Sequence, residues 1–123
     1  MCKIHIGGRE HEYLSIEILN RESPDSESPD YWEKNWLHSI VEVRVGAFSG
    51  SVSANFPAED FVRIREQLRD LLGWKENDAE FGTLEGWLTA RFMMDDRGGI
   101  TVLGDLVDRP MDGNRLRFQF AID

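Results

Sequence analysis

The sequence predicts an α+β domain in which a curved antiparallel sheet of about seven to eight strands packs on a single central helix, in the order β-β-β-β-α-β-β-β-β. Three observations predict it. Only one stretch, Pro57 to Leu72, carries apolar residues at helical spacing. The segments before and after it alternate apolar and polar residues with the period of a half-buried strand, and turn residues separate those segments from one another. On the helix, Phe61, Ile64, Leu68 and Leu71 share one face, Glu59 and Asp60 crowd the first turn where the helix dipole favours negative charge, and Gly73 suits a left-handed C-cap. Burying those four side chains and Leu72 does not offset the entropy of ordering the helix backbone. The helix must therefore dock on a sheet built from both flanks, which makes residues 1–123 one cooperative domain.

The strands follow in order. Ile4 and Ile6 share one side of a first run, Gly7-Gly8 turns the chain, and Leu14, Ile16 and Ile18 share one face of the second, which reads as an opening hairpin. Residues 22–30 hold no large apolar side chain and two prolines, the composition of a mobile acidic surface loop. Tyr31-Trp32-Glu33-Lys34-Asn35-Trp36-Leu37 is the densest aromatic cluster, and two roles stay open for Trp32 and Trp36: interface anchors beside the loop, or plugs at one end of the core. Val41, Val43 and Val45 then alternate with Glu42 and Arg44, and Val52, Ala54 and Phe56 with Ser51, Ser53 and Asn55. Two registers keep both apolar faces together. A turn at Gly46-Ala47 pairs Val45 with Phe48, a turn at Ser49-Gly50 pairs Val45 with Ala54, and the fate of Phe48 depends on which forms. After the helix, Trp74 to Glu80 reads as a polar connection and Phe81 as part of a very short strand. Leu88, Ala90, Phe92 and Met94 mark one face of the next strand, Asp95 to Gly99 a hairpin loop, Ile100 to Val107 a strand, and Asp108 to Asn114 a turn. Leu116, Phe118, Phe120 and Ile122 face inward on the last strand.

The chain carries 14 Lys and Arg against 23 Asp and Glu, a formal charge of -9, which argues against nucleic acid or an anionic membrane as a direct partner. The one cysteine, Cys2, excludes an internal disulfide and a cysteine-based metal site. No apolar run approaches the roughly 18 residues of a membrane span and no leader pattern opens the chain, so the expected compartment is the cytoplasm.

No phosphate loop, nucleophile elbow or His-Glu-x-x-His helix is present. His5 and His11 lack a third ligand at metal spacing and read as strand-edge histidines. Asp105, Asp108 and Asp112 miss the alternation of a calcium loop, and Asp30 with Glu33-Lys34 sits in a loop rather than on the strand a metal-dependent nuclease requires. Neither a metal nor a cofactor is expected, and the chain reads as noncatalytic.

Several pieces in order resemble one family: Tyr31-Trp32, Asn35-Trp36-Leu37, Val41-Glu42-Val43-Arg44 leading to Gly46-Ala47-Phe48-Ser49-Gly50, the helix, Glu85-Gly86-Trp87-Leu88, and Gly113-Asn114-Arg115-Leu116 with Phe118. From Tyr31 to the end the chain resembles the WapI-type immunity proteins of polymorphic, contact-dependent toxin systems. The resemblance implies a noncatalytic protein that binds and neutralises a cognate toxin domain made by the same cell, with a nuclease as the expected toxin. A nuclease carries a basic cleft for phosphate, and an acidic protein is suited to being steered to it. The resemblance transfers no toxin contacts. It marks fold positions instead: Trp36 and Trp87 as core plugs, and Gly86, Gly113 and Gly50 as turns or bulges. The residues themselves nominate Asp30, Tyr31, Trp32, Glu33 and Asn35, with Glu42 and Arg44 on the adjacent strand face, as the partner-binding set. Two other functions fit the same residues, a stand-alone protein-binding or scaffolding domain and a small enzyme with a carboxylate-based site.

Overall fold

Eight strands and one long helix form the fold in the computed structural model, which describes residues 2–8, 11–21, 36–83 and 85–122. The order is β1 (Cys2–Gly7), β2 (Tyr13–Arg21), β3 (Trp36–Val45), β4 (Phe48–Pro57), α1 (Ala58–Leu72), β5 (Asp78–Gly82), β6 (Leu88–Met94), β7 (Ile100–Val107) and β8 (Arg115–Ile122). This is the expected α+β order. The strands are divided between two four-stranded antiparallel meanders, β1-β2-β3-β4 and β5-β6-β7-β8, with the helix as the crossover between them. Residues 22–30 and Tyr31 to Asn35 lie outside the described residues.

The register of the first sheet follows the alternation. Ile4, Ile16, Val41 and Val52 line up across the four strands, as do Ile6, Leu14, Val43 and Gly50, so one face is continuous apolar surface. The second sheet does the same with Ala79, Phe92, Val102 and Phe120, and with Phe81, Ala90, Gly104 and Phe118. The two apolar faces and α1 enclose a core in which Leu14, Ile16, Val41, Val43, Phe56, Leu88, Phe92 and Val102 are almost fully buried. Gly50 is where the sheets approach closely: a methyl there would sit 3.3 Å from Leu116 and 3.6 Å from Leu106.

The helix buries Ile64 and Leu71 completely, with Phe61 and Leu68 packed partly against the core, as the spacing predicts. Its first turn is clamped to β5. Arg63 donates to the buried Asp60 carboxylate at 2.7 Å and to the Gly82 carbonyl at 2.9 Å, and its guanidinium lies 5.9 Å from the Phe81 ring centre. The C-terminus departs from expectation in two ways. Gly73 has φ -85° rather than a left-handed angle, and the left-handed residue is Trp74, with φ 62°. The backbone bonds explain this, because Trp74 N–H donates to the Leu71 carbonyl at 3.2 Å and Lys75 N–H to that of Asp70 at 3.0 Å, a Schellman cap whose left-handed position falls one residue past Gly73. Leu72, expected inside, is 64% exposed: the buried arc is centred on Ile64 and Leu71, and one residue further rotates the side chain about 100° away from β5.

Candidate partner-binding surface

Because Val41 and Val43 face the core, Glu42 and Arg44 between and beyond them must face out, onto the polar side of the first sheet. The β3–β4 turn is Gly46-Ala47, with Val45 opposite Phe48, which decides between the two registers. Gly46 carries φ 57° at the first of two turn positions, the place a type II′ hairpin reserves for glycine. In this register Phe48 lies at the hairpin tip and is 68% exposed.

Beside it, Tyr13, Glu42, Arg44, Gly46, Ala47, Phe48 and Ser49 line a groove of about 350 Å³. Tyr13 stands opposite Arg44 in the β2–β3 register, and its hydroxyl donates a short hydrogen bond to Glu42 Oε1. That bond, with some desolvation and the carboxylate charge, raises the Tyr13 phenol above its ordinary pKa, while Arg44 acts weakly in the other direction. The His5 ring packs 5.0 Å from the Tyr13 ring, and His5 Nε2 donates to the Gly8 carbonyl at 3.1 Å. The groove is therefore an aromatic recess holding one acid and one base, with the acid already engaged.

Of the nominated contact residues, Glu42 and Arg44 come together here, half-buried and exposed respectively. Asp30, Tyr31, Trp32, Glu33 and Asn35 lie outside the described residues. Trp87 packs partly against the core, as a plug would, and Trp36 is half-buried opposite Pro57. Sequence reasoning missed Tyr13. The signal was there, an aromatic on the polar phase of a strand two residues upstream of Ser15 and within diagonal reach of Glu42.

A larger concavity, about 520 Å³, crosses the outer face of the second sheet between Glu80, Arg91, Leu103, Asp105, Arg117 and Gln119. Its charges are internally matched. Arg91 grips Asp78 at 2.5 Å, and Asp105 takes Arg117 at 3.1 Å and Arg115 at 3.5 Å. Among the described residues no group of three or more His, Cys, Asp or Glu is placed to hold a metal, and no helix is long and apolar enough to cross a membrane.

Comparison with known families places the fold and this hairpin-bearing surface in context. The model of the WapI-like immunity protein family matches residues 5–123. The chain belongs to that family. The match begins at His5, so the opening hairpin is included, whereas the motifs legible in the sequence began only at Tyr31. Membership supports a toxin-neutralising role with a protein partner. Comparison with curated proteins finds no match. Among solved structures, a chain described as "Crystal structures of trypanosoma bruciei MRP1/MRP2" is similar at 15% identity, covering 99% of this chain and 72% of that one, with a TM-score of 0.47.

Proposed function

We propose that this immunity protein works in the cytoplasm by forming a stoichiometric, noncatalytic complex with the cognate toxin domain, and that the toxin is a nuclease. The observation that carries the reading is family membership over nearly the whole chain, in a protein of formal charge -9. A nuclease must hold phosphate in a basic cleft, so a negatively charged inhibitor is drawn to the surface its target cannot dispense with, and competes there with substrate. The contact set consists of Asp30, Tyr31, Trp32, Glu33 and Asn35 with Glu42 and Arg44, joined by Phe48 at the hairpin tip. An exposed aromatic beside a shallow recess is the kind of group that dominates binding energy at protein interfaces.

Co-expression with the toxin domain encoded beside this gene, followed by growth measurement and a pull-down at low and high salt, tests the reading. Rescue of growth with a complex that weakens as salt rises is the expected result. Full toxicity with no complex at low salt would overturn it.

A further inference from the structure

Each sheet ends in two edge strands, β1 and β4 in the first and β5 and β8 in the second. An open edge is a template for another strand, and proteins guard such edges with charge. β1 carries Lys3, β5 Asp78 and Glu80, and β8 Arg115 and Arg117, whereas β4 has no charged residue and its one proline, Pro57, stands at the far end. The ladder decides which of its backbone groups are free. With a two-residue turn at Gly46-Ala47, Val45 and Phe48 are the first bonded pair, so Phe48, Gly50 and Val52 direct their N–H and C=O to β3, and Ser49, Ser51 and Ser53 direct theirs away from it. No backbone hydrogen bond takes up those outward groups among the described residues. A groove of about 260 Å³ borders the same edge along four consecutive residues, Ser49 to Val52. The three serines are exposed, the next residue in their phase, Asn55, is half-buried, and α1 begins only at Ala58. The accessible edge is therefore centred on Ser51.

We propose that β4 pairs with β4 of a second copy, antiparallel about a two-fold axis at Ser51, which joins the first sheets of two molecules into one. The strand is complementary to itself in this register. Ser51 meets the partner's Ser51 and Ser49 meets the partner's Ser53, so all the outward N–H and C=O groups find each other and the hydroxyls line up across the join. On the other face Gly50 stands beside the partner's Val52 and Phe48 beside the partner's Ala54, a large residue against a small one each time. Phe48, 68% exposed in the single molecule, gains a cover. Charge favours this occupant over a basic strand, which would find no carboxylate on β4 to pair with, while two neutral strands meet without like-charge repulsion. A join of so few residues buries less than a permanent dimer needs, so the two forms exchange with concentration. The Phe48 ring cannot serve this join and a toxin at once, so the two complexes compete for it.

Sedimentation equilibrium of the full-length protein over a wide concentration range, at low and high salt, tests the pairing. A monomer–dimer equilibrium that tightens as salt rises is expected, because each copy carries a formal charge of -9 and the join itself carries none. Ser51→Glu sets two carboxylates opposite one another across the axis without touching a backbone group that β3 uses, and is expected to weaken the dimer by about fivefold or more. Mixing Ser51→Glu with Ser51→Lys is expected to restore it as a heterodimer, a recovery that a folding defect would not give. A protein that stays monomeric at every concentration and salt, or a dimer indifferent to Ser51→Glu, would overturn the proposal. So would a monomeric protein in which Ser51→Glu weakens binding of an inactivated toxin domain, since the edge would then belong to a toxin strand.

Discussion

The β3–β4 hairpin and the corner at the end of α1 both hold an aromatic ring out to solvent, but they are built by opposite means. At the hairpin the left-handed backbone angle falls on Gly46, the ladder pairs Val45 with Phe48, and the one exposed-face acid, Glu42, is taken up by Tyr13. At the corner the left-handed angle falls on Trp74, although Gly73 stands immediately before it, and Asp70 and Glu76 are left without ion pairs among the described residues. For a bulky residue that angle costs roughly 1–2 kcal/mol. The difference teaches where to look for selection on something other than folding. Every feature of the hairpin except Phe48 serves the sheet, whereas exposed Leu72, strained Trp74 and the uncompensated carboxylates contribute little to the core. Strain retained on a surface residue marks a place to test for function, and Trp74, at φ 62°, is one of two such non-glycine residues among those described, with Met111 at φ 76°.

The largest effect that would break the comparison is at Gly50, which ties the hairpin to the second sheet. Gly50→Val places a Cβ 3.3 Å from Leu116 and branches it toward Leu106, so overpacking is expected to cost about 1–3 kcal/mol in a denaturant titration. A loss below about 0.5 kcal/mol would mean that the hairpin is not clamped from beneath, and that its tip is no better fixed than the corner. Next in size is Trp74→Gly read as a stability change. Relief of the left-handed angle is offset by the greater backbone freedom of glycine and by the lost contact on Gly98, so the midpoint is expected at or above that of the unaltered protein, by up to about 1 kcal/mol. A drop of more than about 1 kcal/mol would show that the indole is a structural prop, and would remove the argument from strain.

The same contrast explains what was legible in the sequence. The helix face of Phe61, Ile64, Leu68 and Leu71 and the alternation of β1–β4 and β6–β8 were readable because burial imposes a period; that tally of strands around one helix carried the fold class, and the motifs in order carried the family. The hairpin register was not readable, since Val45 opposite Phe48 and Val45 opposite Ala54 keep the same residues on the same face. Gly50, backed against Leu106 and Leu116 from a distant part of the chain, packs well in only one of them. The cap at Gly73 was misplaced because glycine's tolerance of positive φ is a local preference, while the Schellman bonds to Leu71 and Asp70 fix which residue must turn. Leu72 misled because four residues beyond Leu68 is helical phase, but only while there is a surface to pack on, and β5 covers the helix around Leu71 instead. Trp74 and the acids along β5 fit no period at all, so nothing but three-dimensional neighbourhood could place them.

The smallest expected effects separate the two regions by pH. At the hairpin, the hydrogen bond to Glu42 raises the Tyr13 phenol above its ordinary value in the folded state. Its contribution is therefore complete below the unfolded phenol's pKa, about 10, and is lost as the pH climbs through the higher folded value, where a phenolate would face a carboxylate. At the corner, the Arg91 guanidinium hydrogen-bonded to Asp78 holds that carboxyl below its ordinary value. Its contribution is complete above the unfolded carboxyl's pKa, about 3.9, and is lost as the pH falls through the lower folded value. Tyr13→Phe should then blunt the alkaline limb of a stability profile and leave the acid limb alone, and Asp78→Asn should do the reverse. The Arg91–Asp78 pair is exposed and the Tyr13–Glu42 pair only part-buried, so each change is a shallow one, best read as the difference between variant and unaltered midpoints across pH. If either substitution altered both limbs alike, the two surfaces would be electrostatically coupled.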